Sequence, residues 1–325
     1  MKFKAANAGK NDMATRADEL IDRHRLRRKL TFWRIVALGV IALAVAWAGS
    51  RLYRDEYGSI AANHIAKVKI AGTIGQDDDL VDQLERLRTS PAVKGLILEI
   101  NSPGGTTAGG EQLYDEVRRV AADKPVVAEI TGLGASAAYM VAAAADHIVA
   151  RQTSIVGSIG VLVEYPDVTG LMDKVGVKLE AIKSSPLKAE PSPFTPTTDE
   201  ARAMVQKLIS DSYDWFVGLV ADRRKLPRDQ VLKLADGSIF TGRQAVANKL
   251  VDEVGGEREA VAWLAKKGVD PNLSVIEWKS PSGRSLFFSK ALARYVGLPE
   301  GSADLFERIG ADRIFLDGLL SVWHP

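Results

Sequence analysis

The chain has 325 residues and 46% apolar content, enough for one large packed domain or two ordinary ones, which excludes a disordered polypeptide. A formal net charge of +2 supplies no global basic field for nucleic acid. The lack of cysteine excludes disulfides, thiolate catalysis and cysteine-based zinc sites.

The basic residues that do cluster, Arg23, Arg25, Arg27, Arg28 and Lys29, precede the charge-free run "IVALGVIALAVAWA" at 35–48. That run is short for a spanning helix, which needs about 20 residues, but Arg34 can snorkel, and Trp33, Trp47 and Tyr53 suit the two interfaces. The expected organisation is a cytoplasmic basic tail at 1–30 and a single transmembrane signal anchor at 31–50, contacting the lipid bilayer. Everything after about residue 50 then lies outside. A cleaved signal peptide ending at Ala48 and a buried core helix are the alternatives.

Past the span, strands and helices alternate. "IAKVKI" (65–70) reads as a strand, "DDLVDQLERLRT" (78–89) as a helix opened by acidic residues, and "KGLILEI" (94–100) as a buried strand. "NSPGGTTAGGEQLYDEVRRVAA" is a glycine turn feeding a helix, and "PVVAEI" (125–130) is the next strand. This βαβα order predicts an α/β fold with a largely parallel sheet. "DHIVA", "IGVLVEY" and "VKLEAIKS" (177–184) are further expected strands. Pro186, Pro191, Pro193 and Pro196 make 185–198 an extended loop, and "TTDE" at 197–200 predicts a capping box with Thr197 as cap of a long helix.

In "GLGASAAYMVAAAADHIVA" (132–150), a strand ending near Thr131 and a turn at Gly132 and Gly134 would put Ser136 at a helix mouth. Backbone N–H groups there favour developing negative charge, as a nucleophile needs, although an ordinary capping serine fits the same pattern. A base must take the hydroxyl proton. Of the four histidines, only His64 and His147 stand near enough in the chain to serve, and structural roles suit both. A lysine serves only where its surroundings favour the neutral amine, and Lys183 and Lys188 flank the start of the proline loop.

From about Ile65 to Gly256, five segments in order resemble the bacterial signal peptide peptidase A family, membrane-anchored Ser-Lys serine proteases with a ClpP/crotonase-like fold. They are "LILEINSPGG", "ITGLGASAAYMVAAAADHIVA", "SIVGSIGV", "GLMDKVGVKLEAIKSSPLKAEPSPF" and "IFTGRQAVANKLVDEVGG". The resemblance implies a spiral of βαβ units, with Ser136 as nucleophile and Lys188, in preference to Lys183, as general base. It also implies oxyanion N–H groups from Gly105 and Ala137, and Ser158 orienting the lysine. It implies no cofactor and no metal. It sets a serine protease domain at 55–265 and leaves a C-terminal extension at 266–325, matched by no motif, to pack on a neighbouring subunit, cover the cleft or form surface helices.

Two departures stand out: "SAA" where the family has "SGG", and Lys249 where it usually has glycine. The expected activity is endopeptidase cleavage of released signal peptides or other membrane-derived peptides through an acyl-enzyme. The expected setting is the bacterial inner membrane, with the catalytic domain on the external side, in a homo-oligomer for which an octamer is one expectation. A non-catalytic membrane scaffold is the alternative; a crotonase-type acyl-CoA enzyme is disfavoured because no paired carboxylates stand where one needs them.

Overall fold

The computed structural model describes residues 62–279 and 320–322, together with residues 33, 34, 37–40 and 43. Two units divide the chain, Met1–Ala62 and Asn63–Pro325. In the first, the described residues 33, 34, 37–40 and 43 are helical, with Trp33, Leu38, Val40 and Leu43 exposed. No helix among the described residues is long and apolar enough to cross a membrane, and most of the expected anchor lies outside them.

In the second unit, runs rich in Val, Ile and Leu become the centre of a parallel sheet. β1 (His64–Ala71), β2 (Val93–Ser102) and β4 (Val126–Ala135) pair side by side, connected through α1 (Asp78–Thr89), β3 (Gly104–Thr106) and α2 (Thr107–Asp123). After β4 come α3 (Ala137–Ala144), β5 (His147–Ala150), β6 (Ile155–Gly157), α4 (Thr169–Val175), α5 (Asp199–Arg224) and α6 (Arg228–Leu234). The rest comprises β7 (Ile239–Thr241), α7 (Gly242–Ala247), β8 (Glu253–Val254), α8 (Glu257–Lys266), β9 (Val275–Glu277) and β10 (Leu320–Val322).

The main sheet has eight strands, in the order β7-β6-β4-β2-β1-β9, with β5 between β4 and β8. All its pairs are parallel except β6 with β7. Both faces are covered, which explains the unbroken apolar runs. Leu96, Leu98 and Ile100 face the helical layer of α1, α2, α3 and α5, whereas Ile97 and Val127 face Ala260 and Leu264 of α8.

β4 is the pivot. Its Val127–Ile130 stretch pairs with β5, but its Leu133–Ala135 stretch pairs with β6, so the sheet splits along this one strand. The expected glycine turn at 132–134 is therefore corrected: the chain stays extended to Ala135. Asn101 makes this possible by accepting the Leu133 N–H through Oδ1 at 3.1 Å, where a register shift in β2 leaves the ladder.

Three further expectations change. Residues 159–165 and 177–184 form no strand; Val177 and Leu179 alternate with Lys178 and Glu180, but they are exposed, as is Ile182, and no strand among the described residues pairs with 177–184. Thr198, not Thr197, caps α5 by accepting the Ala201 N–H at 3.1 Å, while the Thr197 hydroxyl bonds Tyr165 at 2.9 Å. The segment after 266 supplies strands rather than surface helices among its described residues, β9 on the edge of β1 and β10 on β3.

Candidate active site

Ser136 occupies the single residue between β4 and α3. Its backbone has φ 58° and ψ −124°, and its residue is 1% exposed. A capping serine keeps an extended backbone and takes an N–H of the first turn; Ser136 does neither, as its side chain makes no capping bond. The conformation costs about 1–3 kcal/mol for a non-glycine residue and persists only where its surroundings over-determine it. They do so here. The Ser136 N–H donates to the Gly157 carbonyl at 2.8 Å, fixing the turn to β6, and its own carbonyl receives the Met140 N–H at 3.0 Å.

The alanines that follow have a packing reason. Every residue of α3 is buried, because the helix lies between the sheet and the flanking helices α2 and α5. A Cβ on Gly110 of α2 would meet the Ala137 Cβ at 3.0 Å, so small residues on both helices permit the approach. At the far end of α3, Arg118 donates to the Ala144 carbonyl at 2.8 Å, and Arg223 donates to Ala143 and Ala145 at 2.9 and 3.0 Å. Two guanidinium groups thus satisfy carbonyls that a buried helix end would otherwise leave orphaned. Burial pushes the Arg223 guanidinium below its ordinary value.

Gly105 sits on β3, the strand against which the start of α3 packs. A Cβ there would lie 1.8 Å from the Ile74 carbonyl oxygen, so only glycine permits this contact. Ser102 holds the loop: its hydroxyl donates to the Gly72 carbonyl at 2.6 Å and accepts the Gly104 N–H at 3.1 Å. Neither Ser102 nor Asn101 stood out in the sequence reading, although "NSPG" carries the signal of side chains that bond a nearby backbone.

Ser158 follows the carbonyl that receives the Ser136 N–H, and has φ 49° with its own N–H on Ser238 at 2.8 Å. The structure therefore brings Ser136, Ala137, Gly105 and Ser158 into one neighbourhood through β4, α3, β3 and β6. Lys188 stands apart in character. It is exposed, its backbone closes a turn onto Ser185 at 3.2 Å, and among the described residues it makes no ion pair. Lys183 is committed elsewhere, in an ion pair with Glu190 that holds the Glu190 carboxyl below the usual carboxylate range. The two histidines have structural partners. Trp278 donates to His64 Nε2 at 2.9 Å, and His147 bonds Glu253 at 2.9 Å while stacking on Trp263.

Known proteins share this arrangement of segments. The model of peptidase family S49 matches residues 118–270, and that of Clp protease matches residues 54–155, the latter supporting the ClpP-like character of the sheet. A candidate protease of Methanocaldococcus jannaschii is 42% identical over 67% of this chain and 68% of its own length. A candidate signal peptide peptidase of Enterococcus faecium is 33% identical over 71% of this chain and 70% of its own. Protease 4 of Salmonella typhi is 36% identical over 60% of this chain, which spans only 31% of that longer protein. With so much of the fold shared at these identities, the chain belongs to peptidase family S49 and is a serine peptidase.

Proposed function

We propose that this peptidase cleaves peptide bonds with Ser136 as nucleophile and Lys188 as general base. The Ser136 oxygen attacks the substrate carbonyl while its proton passes to the Lys188 amine. The Gly105 and Ala137 N–H groups hold the oxyanion, a stabilisation typically worth about 2.7–4 kcal/mol per donor. The C–N bond breaks, the leaving amine takes the proton, and water then hydrolyses the acyl-enzyme with Lys188 again as base. Ser158 orients the amine. The observation that carries this reading is the Ser136 backbone, a strained, buried helix mouth whose side chain does no capping.

The exposure of Lys188 points to assembly. Leu171, Val175, Ile182, Leu187 and Phe194 are exposed on the same stretch of chain, an apolar surface suited to a second copy. Docking there buries the amine and completes the dyad in a homo-oligomer, for which an octamer is one form. The apolar stretch at 35–48 and the exposed Trp33, Leu38, Val40 and Leu43 favour an N-terminal anchor in the bacterial inner membrane, with the catalytic unit outside. Released signal peptides, or other membrane-derived peptides, are then the substrates within reach.

A fluorophosphonate should label the wild type but not Ser136→Ala, and Ser136→Ala and Lys188→Ala should each be inactive on peptides. Mixing the two inactive proteins should restore part of the activity if the dyad spans subunits. Absent labelling of the wild type would leave a scaffold; an active Lys188→Ala would remove the lysine from the mechanism.

A further inference from the structure

Near the closed end of α3 the chain leaves a cavity of about 370 Å³ whose lining is mostly charged. Its two carboxylates are already engaged. Asp252 accepts Arg224 bidentately at 3.1 and 2.7 Å, and Asp146 accepts the Val126 N–H at 3.1 Å and Arg118 at 3.4 Å. The other charged groups of the lining, Arg223, Lys225 and Lys249, are all cationic, and among the described residues none of them makes an ion pair. Arg223 directs Nε and Nη2 to the Ala143 and Ala145 carbonyls, which leaves Nη1 with no acceptor among the described residues. Burial, and then the neighbouring Arg118, hold this guanidinium below its ordinary value. Arg224, whose charge burial also opposes, is raised instead by its bonds to Asp252.

The backbone adds an independent observation. Lys225 and Lys249 have φ 53° and 61°, the left-handed region that glycine adopts without strain where a helix ends. One follows α5 and the other α7, and both line this same cavity. A lysine at a helix end meets the last carbonyls favourably, but glycine fits the turn better, so the strain points to a use of the side chain. We propose that the cavity is a binding site for a small soluble diphosphate, held by the Lys225 and Lys249 ammonium groups and by Nη1 of Arg223. Guanidinium and ammonium groups gathered in a concavity favour a multiply charged oxyanion. The volume lies at the small end of ligand sites, which suits a diphosphate. Arg223 also satisfies the buried end of α3, so occupation stabilises the folded chain. The inference is independent of which groups cleave peptides.

The test is calorimetric titration of the full chain with sodium pyrophosphate, ionic strength being held constant with chloride. One saturable site per chain with a Kd below about 1 mM is expected, and the melting midpoint should rise with pyrophosphate. Lys225→Gly and Lys249→Gly relieve the left-handed backbone, so without ligand each should melt no lower than the wild type. Each should nevertheless weaken pyrophosphate binding about 10-fold or more, as loss of a charged donor does, whereas Lys249→Arg should keep it. Peptide cleavage without pyrophosphate should be unchanged in both glycine variants, since neither lysine belongs to the proposed dyad. Absence of saturable binding to the full chain would overturn the proposal. Binding retained by the double glycine variant would place the anion elsewhere, on the basic residues at 23–29, and overturn it too. Sulfate at matched ionic strength should bind more weakly; equal affinity would overturn the assignment to a diphosphate.

Discussion

The turn at Ser136 and the segment at 159–196 differ in what a single chain does for them. Around Ser136, the backbone is fixed by bonds from distant elements: Gly157 receives the Ser136 N–H, Asn101 replaces a missing ladder bond at Leu133, and Ser102 pins the loop of β3. The segment at 159–196 is held mostly by short-range contacts. Asp167 accepts both the N–H and the hydroxyl of Thr169, Lys183 pairs with Glu190, and α4 buries no residue. Within the segment, Val168 donates to the Pro193 carbonyl at 2.9 Å, and Tyr165 bonds Thr197 at its boundary. The nucleophile half of the proposed dyad is thus fixed by the fold of one chain, whereas the base half is carried by a surface whose apolar residues still face outward. Preorganisation is invested where charge develops, and recognition is left to the part that can adapt.

The largest expected effect comes from breaking the rigid half. Gly105→Ala places a methyl 1.8 Å from the Ile74 oxygen, so β3 must move. Displacing one oxyanion donor should lower kcat/KM by about 10²–10³-fold. Steady-state kinetics checks this. A near-normal rate would show that β3 plays no part in the reaction. Arg223→Ala strikes the same region from behind. It leaves the Ala143 and Ala145 carbonyls without their donor, and unfolding in urea should show a loss of about 1–3 kcal/mol. A smaller loss would mean that water replaces the guanidinium and that α3 is less sealed than its burial indicates.

The contrast also explains what could be read from sequence. α1 has the bounds expected, 78–89, because its cap, its acidic first turn and its apolar spacing are local signals; Asp77 accepts the Leu80 N–H at 3.0 Å. Buried strands were legible as apolar runs for the same reason. Residues 177–184 were misread because alternation describes a pleated surface only when a neighbouring edge exists, and that edge is a property of the whole sheet. Ser136 was legible as a helix mouth from its glycines and alanines. Its positive φ was not, since it depends on β6 and on the continuation of β4 past Thr131, which the glycines seemed to interrupt.

Acid should separate the two regions next. The Glu190 carboxyl is held below its ordinary value by the Lys183 hydrogen bond, so the pairing stabilises the segment above the unfolded carboxylate pKa, about 4.3, and is lost as pH falls through the lower folded value. Hydrogen exchange or limited proteolysis should therefore show 183–190 loosening in that acid window, while the neutral bonds at Ser136, Gly157, Ser102 and Gly104 stay closed. Lys183→Ala should loosen the segment at neutral pH and remove the acid step. Simultaneous opening of both regions would mean that they form one cooperative unit.

The smallest effect sharpens the comparison by separating strain that serves the site from strain that does not. Lys249 has φ 61°, a backbone that favours glycine, and it is held by an N–H to the Val246 carbonyl at 3.0 Å and by Arg224 donating to its carbonyl at 2.8 Å. Left-handed backbone costs a non-glycine residue about 1–2 kcal/mol. Glycine removes that cost but makes the unfolded chain freer by about 0.4–1 kcal/mol. Lys249→Gly should therefore gain about 0.5 kcal/mol in denaturant unfolding, with kcat/KM unchanged. At Ser136 the same substitution also relieves a positive φ, and Ser136→Gly should likewise gain stability while abolishing fluorophosphonate labelling. If Ser136→Gly instead destabilises the protein, the serine side chain contributes more to the fold than its backbone costs, and the strain at this position is not held for chemistry.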